Sequence, residues 1–430
     1  MAHRPYTSAT PAQRRRNYST TDGDIEMGDR YLVISSDCHA GLRPEAYRDY
    51  LDPQYREIFD VALPIQNEEV KKAAKKFLVD DINEQWRKGI EPALAGAWDH
   101  DQRLAVLDGD GIAGEVIFPD GITEMNMPPF GAGIALPTEG VNPELQWAGA
   151  RSHNRWLAEF CQMAPERRAG IAIVPALWEV DEAVNEVRWA RQQGLKGIMI
   201  PTLWGKRPAY HHPRYDPLWS ACAELEMVVT IHSGGAPMED YDEHTGMMGI
   251  YISEVAWWCA RPLTFLIWGG VFERHPNLKV AITEGTSVWV PEMLALLDFR
   301  YADTPYSAKL GDYTSHLKMK PSEYYYRNVS IGASCMPRRE AELRYETGVK
   351  NLMWGSDYPH PEGSWPDTRK QMIETFIDLP EDELTLMLGE NAVNLYGFDK
   401  EKLAPIVARI GPKKSDFISD SATTESSGRS

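Results

Sequence analysis

Val349-Lys-Asn-Leu-Met-Trp-Gly-Ser-Asp-Tyr-Pro-His-Pro361 is the stretch on which the reading of the whole chain turns. Its start, Val349 to Trp354, predicts a buried strand, which delivers a carboxylate, Asp357, at its C-terminal tip. Tyr358, Pro359, His360 and Pro361 then favour a rigid turn over a helix. The C-terminal ends of buried strands are where α/β barrels place their chemistry. The start of the chain repeats the arrangement. Tyr31-Leu-Val-Ile-Ser-Ser36 leads into Asp37-Cys38-His39, and two residues apart in an extended backbone Asp37 and His39 point to the same side.

Between these two tips, strand-length apolar runs alternate with helical patterns. Candidate strands occupy 31–36, 114–119, 168–175, 195–201, 227–232, 278–284, 328–332 and 349–354, as in a parallel sheet buried on both faces. Val180, Ala183, Val184, Val187 and Ala190 have helical spacing, and Gly194 closes that helix. Eight such units predict an α/β fold of the (β/α)8 TIM barrel type rather than an open sheet. One domain is expected over 29–411, with disordered tails at 1–28 and 412–430. Two connections are long. Residues 40–112 carry helical patterns, such as Val70 to Phe77, and are expected to form a helical cap between strands 1 and 2. Residues 121–142, rich in Gly and Pro, are expected to form a lid that meets substrate through Met125, Met127 and Phe130.

Composition narrows the classes. A net charge of −18 and a pI near 5.1 argue against nucleic acid and anionic membrane as partners. Five cysteines without a CxxC pair fit reduced thiols and a cytoplasmic location. The apolar runs fall short of a membrane span. No GxSxG follows the fifth strand, and neither a P-loop nor a GxGxxG follows the first.

Polar residues at strand tips carry the functional reading. Asp37, His39, His232, Glu284 and Asp357 converge on one barrel mouth if the strands are as predicted, and each offers a lone pair to a divalent ion. Singly, each has a plain structural explanation; jointly, five at four of eight tips favour a metal site. His360 reads equally as a general acid or as a loop residue packed on Trp365. Strand alternation puts Ile282 and Glu284 on one face, so an inward Ile282 would raise Glu284 into the mouth.

These residues sit in motifs that resemble the amidohydrolase superfamily, in the branch that includes aminocarboxymuconate semialdehyde and resorcylate decarboxylases. The resemblance spans about 31–400: DCH at the first strand, IHSGG at the fifth, GGVFERHPNLKV before the sixth, WGSDYPHPEG at the eighth and GENAVNLYGF near the end. It implies that Asp37, His39, His232 and Asp357 are metal ligands, and that Glu284 stands where many members have a second histidine. It also implies a homo-oligomer, a dimer before others.

The expected cofactor is one divalent ion (Zn, Mn or Fe), with room for a second, because the ligand set is rich in oxygen. The first functional expectation is a hydrolase of a C–N or C–O bond in a small-molecule substrate. In it Asp357 shuttles the proton of a metal-activated water and His232 stabilises the oxyanion. The alternatives are non-oxidative decarboxylation of an aromatic or unsaturated acid, and oxygenation by non-haem iron.

Overall fold

The computed structural model describes residues 28–77, 94–120, 126–241, 244–302 and 309–419. Eight parallel strands hydrogen-bond in sequence order: β1 (Ile34–His39), β2 (Gly114–Phe118), β3 (Arg168–Ile173), β4 (Gly197–Met199), β5 (Val228–His232), β6 (Val280–Thr283), β7 (Val329–Ser334) and β8 (Leu352–Gly355). The tip of β1 meets the turn after β8. Asp357 N–H donates to the Asp37 carbonyl at 2.9 Å and His39 N–H to the Tyr358 carbonyl at 2.8 Å. The sheet thereby closes on itself at the mouth as a (β/α)8 barrel.

Side-chain alternation along each strand builds two apolar layers. Ile34, Val116, Phe118, Ile171, Met199, Val228, Ala281 and Met353 cluster through the barrel. Their neighbours Ile117, Ala172, Ile198, Val229, Ile282 and Leu352 pack outward with helix residues such as Leu218 and Leu263.

Strand 1 lies three residues further along than expected, because His39 pairs with Phe118 at the mouth and draws Asp37 to His39 into the sheet. A register shift between Ser35 and Cys38 bends it there, the kind of irregularity that re-aims side chains near active sites. Tyr31 instead donates its N–H to the Pro412 carbonyl at 3.0 Å. That bond corrects the expected C-terminal boundary. Lys414–Phe417 forms a helical turn whose buried Phe417 meets the Tyr31 ring edge-on at 5.2 Å, so order continues past residue 411. The remainder of both expected tails, 1–27 and 420–430, lies outside the described residues.

The long connection after β1 contains two different things. Helix α1 (Pro53–Phe77) places Tyr55 and Phe59 in a cluster with Tyr47, Leu51 and Phe130. Helix α2 (His100–Asp110), opened by the Asp99 cap and closed by left-handed Gly111, belongs to the barrel wall. Its buried Arg103 pairs with Glu115 of β2 at 2.7 Å and donates to the His39 carbonyl at 2.9 Å. No helix among the described residues is long and apolar enough to cross a membrane.

Asp110 ends α2 buried, with Thr368 Oγ1 donating to it at 2.7 Å. Burial pushes its carboxyl up to about 7, against the pull of Thr368 and Arg369. The unfolded chain releases this proton near pH ~3.9. Stability therefore falls as pH rises from there through about 7 and levels off above. Asp110→Asn keeps an acceptor for Thr368 without the charge. It is expected to stabilise the fold more at pH 8 than at pH 5, by roughly 2–3 kcal/mol. Urea unfolding at the two pH values checks this, and equal gains would contradict it.

Candidate metal centre

The β1 bulge aims Asp37 and His39 into the mouth, β5 ends on His232, and the turn after β8 supplies Asp357 and His360. Asp37 Oδ1 lies 3.2 Å from His232 Nε2 and 3.4 Å from His39 Nε2. Asp357 Oδ1 lies 3.2 Å from His39 Nε2 and 3.1 Å from His360 Nδ1. All five side chains are buried. The sequence reading placed these residues together, and the structure does bring them together.

Backbone carbonyls fix how the imidazoles face. His39 Nδ1 is 2.8 Å from the Pro119 carbonyl, His232 Nδ1 is 3.0 Å from that of Ser233, and His360 Nε2 is 3.3 Å from that of Asp120. A carbonyl only accepts, so each of these nitrogens carries the proton. The remaining nitrogen of each neutral ring then turns a lone pair towards the carboxylates. Among the described residues, His39 Nε2, His360 Nδ1 and Asp357 Oδ1 are buried without a hydrogen-bond partner, although they lie close to one another. Buried groups left in this state are costly unless something satisfies them. A cation between His39 Nε2 and Asp357 Oδ1 satisfies those two, and a proton on His360 Nδ1 satisfies the third, so the residues fit a divalent ion.

The electrostatics agree. Burial alone would raise Asp37, yet His232 and His39 hold it well below the usual carboxylate range. Burial would lower His39, but Asp357 and Asp37 raise it well above its ordinary value. His360 is raised to about 9, with Asp357 outweighing burial and the His39 charge. The cluster holds extra protons to balance its carboxylates, and a bound ion would displace them. Three groups of potential ligands overlap here: Asp37, His39 and His232; His39, Asp357 and His360; and Glu284, Asp357, His360 and Glu362.

Glu284 arrives by a route the alternation argument missed. Ile282 packs outward beside Cys259, while Ala281 lies in the cluster that runs through the barrel. Glu284 still reaches the mouth because its backbone turns left-handed after β6 (φ 59°) and swings the side chain inward. Asp357 shares this conformation (φ 59°). Strain of this kind persists where surrounding structure enforces it, often at active sites. Ser233 Oγ donates to Glu284 Oε2 at 2.6 Å, and the same oxygen lies 3.4 Å from His232 Nδ1. Burial, then the Asp357 charge, pushes Glu284 up to about 7. Glu284→Gln is expected to weaken Mn²⁺ binding about 10–100-fold, as loss of an orienting partner does. Calorimetric titration measures this, and unchanged affinity would remove Glu284 from the centre.

The expected substrate wall is only partly where it was placed. Phe130 packs edge-on against Phe59 of α1 at 6.0 Å and so serves that packing. Met127 is half-buried on the same loop, and Met125 lies outside the described residues. Among the described loop residues, Ile134 reaches the mouth, so close to Gly234 that a Cβ there would lie 2.9 Å from Ile134 Cγ2. Sequence reasoning also missed Ser334, whose Oγ donates to Asp37 Oδ2, and Asp120 at the tip of β2. Asp120 carried a usable signal, because an acid directly after a predicted strand is the logic that found Asp357. His360 stacks on His39 (centroids 3.8 Å apart), not on Trp365.

The signature of the family described as Amidohydrolase matches residues 121–398. The γ-resorcylate decarboxylase of Rhodococcus jostii (strain RHA1) is 27% identical over 231 residues, 49% of this chain and 66% of the relative. The 2-amino-3-carboxymuconate-6-semialdehyde decarboxylase of Dictyostelium discoideum is 24% identical over 319 residues, 72% of this chain and 79% of the relative. Among solved structures, the 5-carboxyvanillate decarboxylase of Novosphingobium aromaticivorans DSM 12444, complexed with manganese and 4-hydroxy-3-methoxy-5-nitrobenzoic acid, superposes with a TM-score of 0.59. It is 19% identical and covers 86% of this chain and 97% of its own. These findings overturn the expectation of hydrolysis. These relatives are decarboxylases, and a metal centre that can activate a water can equally bind a carboxylate.

Proposed function

The chain belongs to the amidohydrolase family, and we propose that within it this barrel is a metal-dependent decarboxylase of an aromatic or unsaturated acid. The observation that carries the reading is the set of three imidazoles. Each commits one nitrogen to a backbone carbonyl and turns the other towards Asp37 and Asp357. Asp37, His39, His232 and Asp357 would hold the ion, with Glu284 steadying His232. Mixed carboxylate and imidazole ligation admits manganese, in keeping with the manganese bound by the structural relative. When bound, the ion would supply a Lewis acid for the substrate's acidic group.

The chain's own residues do the rest. When the C–CO₂ bond breaks, its electron pair stays on carbon, which then needs a proton. His360, whose Nδ1 lies 3.1 Å from Asp357 Oδ1 and whose ring is raised to about 9, would supply it, with Asp357 holding the ring in place. Phe118, beside His232 with ring centroids 4.6 Å apart, gives the mouth an apolar floor for an unsaturated acid. A second reading, oxygenation at paired irons, draws on the adjoining group of Glu284, Asp357, His360 and Glu362, which can hold a second ion.

The test incubates Mn²⁺-loaded protein with a panel of hydroxybenzoic and unsaturated acids, following CO₂ and the decarboxylated product. One CO₂ per product without O₂ uptake is expected. Two irons per chain with O₂ consumption would favour the second reading, and no CO₂ from any acid at confirmed loading would count against the first.

A further inference from the structure

Asp120, buried at the tip of β2, is an acid the proposed chemistry leaves unused. Its backbone and side chain face two different parts of the mouth. The consecutive carbonyls of Pro119 and Asp120 accept from His39 Nδ1 at 2.8 Å and His360 Nε2 at 3.3 Å. Those two rings stack 3.8 Å apart, their planes within 16°. Neighbouring carbonyls of an extended strand point to opposite edges and could not both serve one stack. Asp120 is left-handed instead (φ 67°), which folds its carbonyl back towards that of Pro119. Glycine, Asn and Asp adopt this conformation far more readily than other residues.

The side chain grips the loop that walls the mouth. Asp120 Oδ2 accepts the Ile134 N–H at 2.9 Å. Any Cβ on Gly133 would overlap both carboxylate oxygens, so the loop lies directly on this acid. Ile134 in turn covers Gly234, two residues past His232. Asp120 is 5% exposed, and its Oδ1 is buried without a hydrogen-bond partner among the described residues.

We propose that Asp120 is a positioning residue that ties the loop walling the mouth to the two stacked histidines of the metal centre. This rests on reading the cluster as a metal site and does not depend on which reaction occurs there. The backbone turn orients the rings, and the carboxylate latches the wall.

Three variants of the full chain separate these roles. Asp120→Gly keeps the turn and loses the latch, Asp120→Ala loses the latch and strains the turn, and Asp120→Asn keeps both. Mn²⁺ affinity is read by calorimetry, and the Ile134 amide by hydrogen exchange. Asp120→Gly should exchange at Ile134 about 10-fold faster or more with Mn²⁺ affinity kept. Asp120→Ala should show the same fast exchange and bind Mn²⁺ about 10–100-fold more weakly. Asp120→Asn should match wild type in both. Slow Ile134 exchange in Asp120→Gly overturns the latch, and Mn²⁺ affinity equal to wild type in Asp120→Ala overturns the orienting role. If Asp120→Ala does not fold, weakened Mn²⁺ binding by Asp120→Gly, which keeps the turn, overturns that role instead. A wild-type protein that binds no Mn²⁺ overturns the metal reading itself, and this proposal with it.

Discussion

Asp357→Asn is expected to give a folded, metal-binding protein in which the proposed decarboxylation is slower by about 10²–10⁴-fold, the usual worth of a positioned acid or base. The substitution is a clean probe for a backbone reason. Position 357 is left-handed (φ 59°), and asparagine tolerates that conformation nearly as well as aspartate. The N–H that closes the barrel onto the Asp37 carbonyl therefore stays in place. An amide oxygen can still face His39 Nε2, but the negative charge that raises His360 and keeps its proton in place is gone. Turnover and metal content measured on the same preparation check this. A variant that retains more than about a tenth of wild-type turnover at full loading would show that Asp357 has no part in the proton transfer.

The second large effect is thermodynamic. Removing the ion leaves Asp37 and Asp357 facing one another across imidazoles that must take up protons. At a free Mn²⁺ concentration about 1,000 times its dissociation constant, the native state should gain about 4 kcal/mol over the metal-free protein. The gain should grow with pH. Against the lowering effect of burial, Asp357 and Asp37 keep His39 protonated into the neutral range, and an ion must displace that proton to bind. Affinity is lost as pH falls below that range and rises as pH climbs through it. Thermal unfolding with Mn²⁺ or chelator at pH 6, 7 and 8.5 tests the trend. A stabilisation that is absent, or the same at all three, would count against the imidazoles as ligands.

The barrel was legible because its strands are nearly continuous apolar runs, each ending where polarity begins, as at Val228 to His232. Asp37, His39, His232 and Asp357 were legible for the same reason, since a strand tip gives position and residue type gives chemistry. Glu284 was found by a faulty route. Alternation assigned Ile282 to the wrong face, and the left-handed turn that corrects for it leaves no mark in a sequence. Ser334 and Ile134 were invisible because a serine at a strand end and an isoleucine in a Gly/Pro loop are common. Only the closed barrel brings Ser334 to Asp37 and Ile134 to Gly234. Order past residue 411 rests on contacts with the far end of the chain, backbone bonds of Pro412 to Tyr31 and of Lys414 to Asp29 and the packing of Phe417 on Tyr31, which no local pattern announces. The reaction itself was not legible, since the same ligands serve an activated water and a chelated carboxylate.

A crystal grown with Mn²⁺ and measured at an energy where manganese scatters anomalously tests the central claim most directly. A peak is expected among Asp37, His39, His232 and Asp357, about 2.0–2.4 Å from His39 Nε2 and His232 Nε2. His39 Nδ1 should still face the Pro119 carbonyl. A mouth without a peak at saturating Mn²⁺, or a peak bound only by exposed carboxylates such as Glu362 at the rim, would contradict it.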